Sequence, residues 1–407
     1  MLPYTRPVPT NQLPDERRAT STWAAIGVAL VFLIALNLRP PLTSVGPLLP
    51  QIGRDESLSE AMQGLLGSLP LLAFAAVSPL VHHVSRRFGM ERSILLALLV
   101  LAVGIFARSF TGHVGLWVGT VVIGSAIAVG NVLVPTLVKR DYSSGISRAT
   151  GIYSACITVG AAIASAVAVP MADGTTWRGA LAFWAIPVVA VAVVWAPRAF
   201  RSPPQSATAA PQRAAATPTS VWRQPTAWLV TAFMGLQSTS FYVLVTWLPT
   251  IGIAAGQTER QAGWQLFAFQ IVGIFSALVI PRLMRNPDSQ VAAGVASSAP
   301  LLAGTLGLLL LPQFAALWAI VAGLGSGASL VVALSLISLR GRGTHETTRL
   351  SGMAQSLGYL FAALGPVLAG FLAQVTASWQ APLVFVCLLT ATQLAVSFPA
   401  GRPRAHG

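Results

Sequence analysis

The chain reads as an all-α integral membrane protein with twelve transmembrane helices in two six-helix pseudo-repeats, and three observations predict this. Of its 407 residues, 54% are hydrophobic and only 9% charged, whereas a soluble domain carries roughly a quarter charged residues. Twelve apolar stretches follow one another with short polar punctuation, each near the roughly 20 residues that cross a hydrocarbon core about 30 Å thick. Short sequence echoes recur at an offset of half the chain. Leu49-Pro50-Gln51-Ile52-Gly53 answers to Leu248-Pro249-Thr250-Ile251-Gly252, 199 residues on; Lys139-Arg140 to Leu339-Arg340, 200 on; Thr150-Gly151 to Ser351-Gly352, 201 on.

In chain order, a polar tail over 1–21 precedes spans near 22–45, 61–81, 93–110, 115–138, 150–171 and 179–196, which make the N-terminal half (22–196). The first stretch reads as a retained span, because no small-residue cleavage site closes a short apolar run and more spans follow. Residues 197–225 are rich in Pro, Ala, Ser and Thr with four Arg and no acid, the composition of a flexible linker. Spans near 226–250, 260–281, 290–311, 314–338, 351–373 and 380–399 make the C-terminal half (226–399), and 400–407 form a second tail. Glycines crowd spans 4, 10 and 11, including Gly124, Gly130, Gly323, Gly325, Gly327, Gly358, Gly365 and Gly370. Small residues let helices approach closely, either as static packing or as surfaces that slide.

Lys and Arg total 25 against 11 acids, a formal charge of +14 that on a soluble protein suggests nucleic acid. Position decides otherwise. Twenty of the 25 lie in the tails and in loops on the same side as the N-terminus, and Arg54, Arg108, Arg178 and Arg260 fall on the other side. Loops rich in basic residues stay in the cytoplasm, so both termini are expected there. With Arg outnumbering Lys 24 to 1, a bacterial inner membrane is the expected location, with lipid and a small-molecule substrate as partners, no nucleic acid, and a monomer as the working unit.

Arg39, inside the first span, is the remaining basic residue. It stands beside Pro40-Pro41, which supply no backbone N–H, so the carbonyls of Leu36 and Asn37 lose their helical partners and the helix must kink or open. Breaks at membrane depth are tolerated where protein or a watery cavity surrounds them. An intramembrane Arg marks a functional site by default; the alternative is that it snorkels to the outer interface, about 24 Å of helix beyond Trp23. A guanidinium presents planar, forked donors that suit a small anion or flat polar group. Neutral groups accompany it: Asn37; Asn131 in span 4; Tyr153 in span 5; Gln237, Ser240, Tyr242 and Trp247 in span 7; Gln270 in span 8; Gln355 and Tyr359 in span 11. Each could contact a solute or bond one helix to another.

Every acid falls in a loop or at a span end, so no carboxylate stands mid-membrane to relay protons. His82 and His83, closing span 2, could titrate near neutral pH or lie at the interface. Cys156 and Cys387 are single and set no disulfide or metal spacing. No Walker A sequence or HExxH occurs, and Gly323-x-Gly325-x-Gly327 lies within an apolar span, so no enzyme, cofactor or metal is expected.

The stretches ALNLRPPLTSVGPLLPQI (35–52), GNVLVPTLVKRDY (130–142), GLQSTSFYVLVTWLP (235–249), GLGSGASLVVALSLISLR (323–340) and LSGMAQSLGYLFAALGP (350–366) resemble the cyanate and nitroimidazole permease branch of the major facilitator superfamily. The resemblance covers nearly the whole chain. It implies twelve helices, alternating access and a small polar or anionic substrate, with Asn37, Arg39, Gln237, Gln355 and Tyr359 at pocket positions. The superfamily's loop between helices 2 and 3 usually carries an Asp where Arg86 stands here; Arg87 and Gly89 remain. The inward gate is therefore expected to use other charges, through Glu91 and Asp141. The functional expectation is a secondary transporter of a cyanate-like anion or flat polar solute. Efflux of nitroimidazole-like drugs, with Tyr242, Trp247 and Tyr359 leading, is the alternative, and a solute receptor that does not transport is a third.

Overall fold

The computed structural model describes residues 29–141, 146–201, 221–284, 289–341 and 343–402. The expected tail over 1–21, the linker's interior and residues 403–407 lie outside them. All regular structure among the described residues is helical. Twelve helices are long and apolar enough to cross a membrane: α1 Ala29–Asp55, α2 Glu60–Phe88, α3 Met90–Phe110, α4 Gly112–Asp141, α5 Gly151–Gly174, α6 Trp177–Arg201, α7 Pro225–Ala254, α8 Glu259–Met284, α9 Val291–Leu310, α10 Pro312–Arg340, α11 Arg349–Thr376 and α12 Gln380–Gly401.

Several run past their expected ends, because helix termini are set by caps that a hydrophobicity pattern does not report. In α2, Ser78-Pro79-Leu80 tightens into one 3₁₀ turn and the helix resumes over Val81–Phe88, so His82, His83, Arg86 and Arg87 ride on helix. Gly89 stops it at φ 81° with its N–H on the Ser85 carbonyl, a backbone conformation that favours glycine. The linker's edges are also structured. Pro197–Arg201 prolong α6, Val221–Arg223 form a 3₁₀ turn, and Pro225 opens α7 at a position where a missing N–H costs nothing.

The expected break in α1 is present. Its regular turns stop at Leu38 and Arg39, resume over Pro40–Thr43 and again over Val45–Asp55. Three other helices hold this segment. From α5, Gly160 lies so close to the Leu36 carbonyl that a Cβ would collide with it. Thr43 Oγ1 donates to the Ala161 carbonyl at 3.0 Å, and Gln270 of α8 donates to Ser165 Oγ at 2.7 Å, tying the break through α5 to α8. From α3, Arg108 Nη1 donates to the Pro41 carbonyl at 2.6 Å. Arg108 was expected among the outer-face charges, yet it is 2% exposed. It sits in the last turn of α3 but points inward, where the Pro41 carbonyl of α1 accepts from it.

Between the first six helices and the last six, α2 packs on α11, α5 on α8, and α1 on α7. Exchanging each helix for the one six places on turns the first of these interfaces into the second, which is the contact pattern of a two-fold related pair. The packing differs at the two ends of the bundle. At the Arg54 end, one cluster of buried apolar side chains runs through both sets of helices, from Leu48, Leu49 and Ile52 to Trp247, Leu248 and Phe269. Toward the opposite end two clusters form: one from the first six helices plus Ala362 and Ala363, the other from the last six. Outward-facing positions such as Val103, Phe106 and Leu388 are more than half exposed, the apolar belt that lipid would cover.

Glycine sets the closest approaches. Within the last six helices, a Cβ on Gly327 of α10 would collide with the Gly273 backbone of α8. Gly327→Val is expected to lower the stability of the detergent-solubilised protein by about 1–3 kcal/mol. Gly352→Ala, whose Cβ meets nothing within 4 Å, is expected to leave stability unchanged or raise it by up to about 1 kcal/mol. Thermal or denaturant midpoints of the two variants check this.

Candidate functional site

The break in α1 gives the site its shape. Released from the regular helix, Arg39 reaches across to α7, and its Nη1 donates to Tyr242 Oη at 3.2 Å. Tyr153 of α5 and Tyr359 of α11 lie within electrostatic reach of the same guanidinium. Four helices thus converge, one bringing a fixed positive charge and three bringing phenols. Arg39, Tyr242 and Tyr359 each keep some accessible surface although they lie inside the bundle. Phe241 stacks on Phe269 of α8 at 6.2 Å and meets the Tyr242 ring edge-on at 5.1 Å, fixing the aromatic side of the site. No ion pair forms at Arg39 among the described residues. Such a group can bind a negative charge or a pair of coplanar acceptor oxygens.

The other anticipated residues divide. Asn37 is 5% exposed and donates Nδ2 to the Leu33 carbonyl at 2.8 Å, inside its own helix. Gln237, 3% exposed, turns its amide onto Ser238 Oγ at 2.6 Å and Met234 Sδ at 3.4 Å. Gln355, partly buried, donates to Ser351 Oγ at 2.7 Å. Asn131 is partly buried and makes no hydrogen bond among the described residues. Trp247 is fully buried, with Nε1 on the Pro366 carbonyl at 2.9 Å and its ring 4.8 Å from that of Trp379. That packing makes it part of the seal at the Arg54 end rather than a side chain free to line a pocket. Sequence reasoning noticed Tyr153 without assigning it to the site. The signal was present, since it is the one phenol in span 5.

Charges cluster at both helix ends. At the Arg54 end, Arg54 Nη2 meets Glu259 Oε1 at 2.9 Å, Gln51 donates to the same carboxylate, and Arg260 pairs with Asp173 at 3.0 Å. These contacts link the first six helices to the last six. Within the first six, Arg178 bridges Asp55 and Glu56, Trp177 Nε1 donates to Asp55 at 2.8 Å, and His113 meets Glu56 at 3.1 Å. At the opposite end Glu91 and Asp141 do not bond to each other. Arg140 joins them at 2.6 and 2.9 Å, and Arg198 pairs with Asp141. Two like-charged carboxylates need a cation between them, and Arg140 at the end of α4 supplies it. Arg87 lies over the Phe88 ring at 5.6 Å, and Gly89 caps the preceding helix. His82 and His83 are exposed, their rings edge-on at 6.0 Å.

Comparison with known proteins agrees with this architecture. Residues 25–343 match the sequence model of the Major Facilitator Superfamily. The chain is 41% identical to the 2-nitroimidazole transporter of Escherichia coli (strain K12) over 381 residues, 93% of this chain and 95% of that protein. To the cyanate transport protein CynX of the same organism it is 29% identical over 366 residues, 88% and 93% of the two chains. A crystal structure of a bacterial homologue to the human lysosomal transporter Spinster superposes with a TM-score of 0.77, covering 95% of this chain and 97% of that one; at 15% identity this is a likeness of fold alone. Twelve spans, a charge held between helices and a family match over most of the chain agree: the protein belongs to the Major Facilitator Superfamily and is a multi-pass membrane transporter, not an enzyme.

Proposed function

We propose that this transporter moves a small planar anion of the cyanate kind by alternating access through a central cavity, with Arg39 as its principal binding group. The observation that carries the reading is the unpaired guanidinium: Arg39 lies inside a span, bonds to the neutral Tyr242, and has no carboxylate partner among the described residues. A burial of that kind is retained where a charge serves a ligand. Tyr242 holds the fork in place between ligands and shifts onto the solute when one arrives. Asn37, Gln237 and Gln355 would exchange their in-helix partners for the solute, and Tyr153 and Tyr359 would supply further hydroxyls.

In this reading the halves 22–196 and 226–399 rock about the site, joined by the 197–225 linker, in a bacterial inner membrane with both termini cytoplasmic. The Arg54 end is then the outer gate, drawn closed. Its ion pairs lie near the surface, with Arg54 72% exposed, and each contributes at most about 1 kcal/mol. Close backbone approaches add to them: a Cβ on Gly46 would collide with the Val245 carbonyl, on Gly64 with that of Pro366, and on Gly370 with that of Glu60.

A second reading, export of nitroimidazole-like solutes, is favoured by the three phenols and the Phe241–Phe269 stack around the same charge and by the 41% identity to a protein named for such a substrate. A nitro group presents two coplanar oxygens to the fork, and the ring would lie on the aromatic wall. Sensitivity of a deletion strain to 2-nitroimidazole, with and without the gene restored, separates the readings.

Uptake of labelled cyanate into proteoliposomes tests the first. Arg39→Ala is expected to raise the half-saturation concentration about 10–100-fold, the worth of a charged hydrogen bond, and Arg39→Lys to recover only part, since it keeps the charge and loses the fork. Undiminished flux in both variants removes Arg39 from the site. For the gate, Thr250→Cys in a background without Cys156 and Cys387 reports access from the Arg54 side. Glu259→Gln is expected to speed its labelling by an impermeant maleimide by up to about fivefold, from the loss of about 1 kcal/mol. Gly64→Leu is expected to speed it further, because backbone cannot yield as a side chain can.

A further inference from the structure

We infer that the carrier is an anion exchanger: closure over the empty site is disfavoured by Arg39, so each anion that enters is matched by one that leaves, and the counter-substrate is a second small monoanion. The inference rests on the proposed role of Arg39 and concerns what the unloaded protein does.

Among the described residues, five arginines near the helix ends pair with carboxylates, while Arg92 and Arg340 bond to backbone carbonyls. Arg54 has Glu259, Arg140 has Glu91 and Asp141, Arg178 has Asp55 and Glu56, Arg198 has Asp141, and Arg260 has Asp173. Arg108, also inside the bundle, has no carboxylate partner among the described residues either, but it bonds the Pro41 carbonyl and at 2% exposure offers no surface for a solute to reach. Arg39 differs, having surface still accessible and the Tyr242 hydroxyl as its partner at 3.2 Å. No acid can swing in during the cycle, because all 11 acids of the chain lie in loops or at span ends. The groups facing Arg39 from α5, α7 and α11 are phenols rather than carboxylates.

Alternating access requires a state with both ends shut. At that moment the site loses contact with bulk water, and an unpaired guanidinium in a low-dielectric surround is strongly disfavoured. A bound monoanion cancels the charge and takes up the donors that Tyr242 leaves free. The loaded carrier therefore passes through the shut state more readily than the empty one. Because one fixed cation pairs with one monoanion, exchange moves no net charge, whereas one-way anion transport moves one negative charge per cycle.

The test compares labelled cyanate uptake into proteoliposomes loaded with unlabelled cyanate and into vesicles loaded with gluconate. Exchange predicts uptake at least about tenfold faster into the cyanate-loaded vesicles, a ratio set by the difference between two barriers, and no change when valinomycin and potassium impose an inside-positive potential. In Arg39→Gln, whose neutral cavity closes without an anion, the ratio is expected to fall toward one at saturating cyanate. Equal uptake into both vesicle types, accelerated by the inside-positive potential, overturns exchange and leaves the binding role of Arg39 intact. A ratio unchanged in Arg39→Gln overturns it as well. Absence of saturable uptake under either loading removes cyanate itself, and the substrate reading falls together with the exchange.

Discussion

Two prolines in succession leave backbone carbonyls of α1 without their helical donors, deep in a medium that offers no water to replace them. In a hydrocarbon core each such group is costly unless protein satisfies it. Neighbouring helices brace the break. Gly160 lets α5 come into backbone contact at Leu36, Thr43 turns its hydroxyl to Ala161, and Arg108 delivers a donor to Pro41 from α3. Gln270 and Ser165 extend the same network to α8. The position of Arg39 follows from this arrangement: a residue in a regular turn would follow the helix surface, while one at a braced break projects toward α7.

The bracing also links the binding region to the contacts between the two sets of helices. Ser165 and Ala161 of α5 bond on one side to α1 and on the other to α8, so α1, which carries Arg39, and α8 share partners. Further along the same helices come Arg54 and Glu259, whose pairing spans the closed end. Individually weak surface pairs would suit the proposed gate, and the buried apolar cluster beneath them joins the same two sets of helices.

Much of the architecture was legible in the residues because a membrane span must satisfy its backbone internally, which makes each helix readable one at a time from composition and length. Arg39 was legible for the same reason, as a charge where none is expected. What the chain did not reveal depends on which helix faces which. Arg108 looks like an interfacial arginine until α1 is seen to turn the Pro41 carbonyl toward it. Tyr153 is one polar group among many until α5 is rotated toward Arg39. Trp247, which reads as a pocket aromatic, is claimed by Trp379 and the Pro366 carbonyl, partners 132 and 119 residues away in the chain. Glu91 and Asp141 needed Arg140 between them, a pairing set by how α3 meets the end of α4.

The uneven distribution of buried apolar side chains has a thermal consequence. One cluster joins both sets of helices at the Arg54 end, and separate clusters serve them elsewhere. Parting the helices at that end would bring Leu48, Leu49, Trp247 and Leu248 toward water, and newly hydrated apolar surface carries a positive heat-capacity change. The balance between the proposed closed and open forms would then be curved in temperature rather than constant. Hydrophobic burial of this kind weakens on cooling, so in the proposed cycle cold would favour parting the helices at this end.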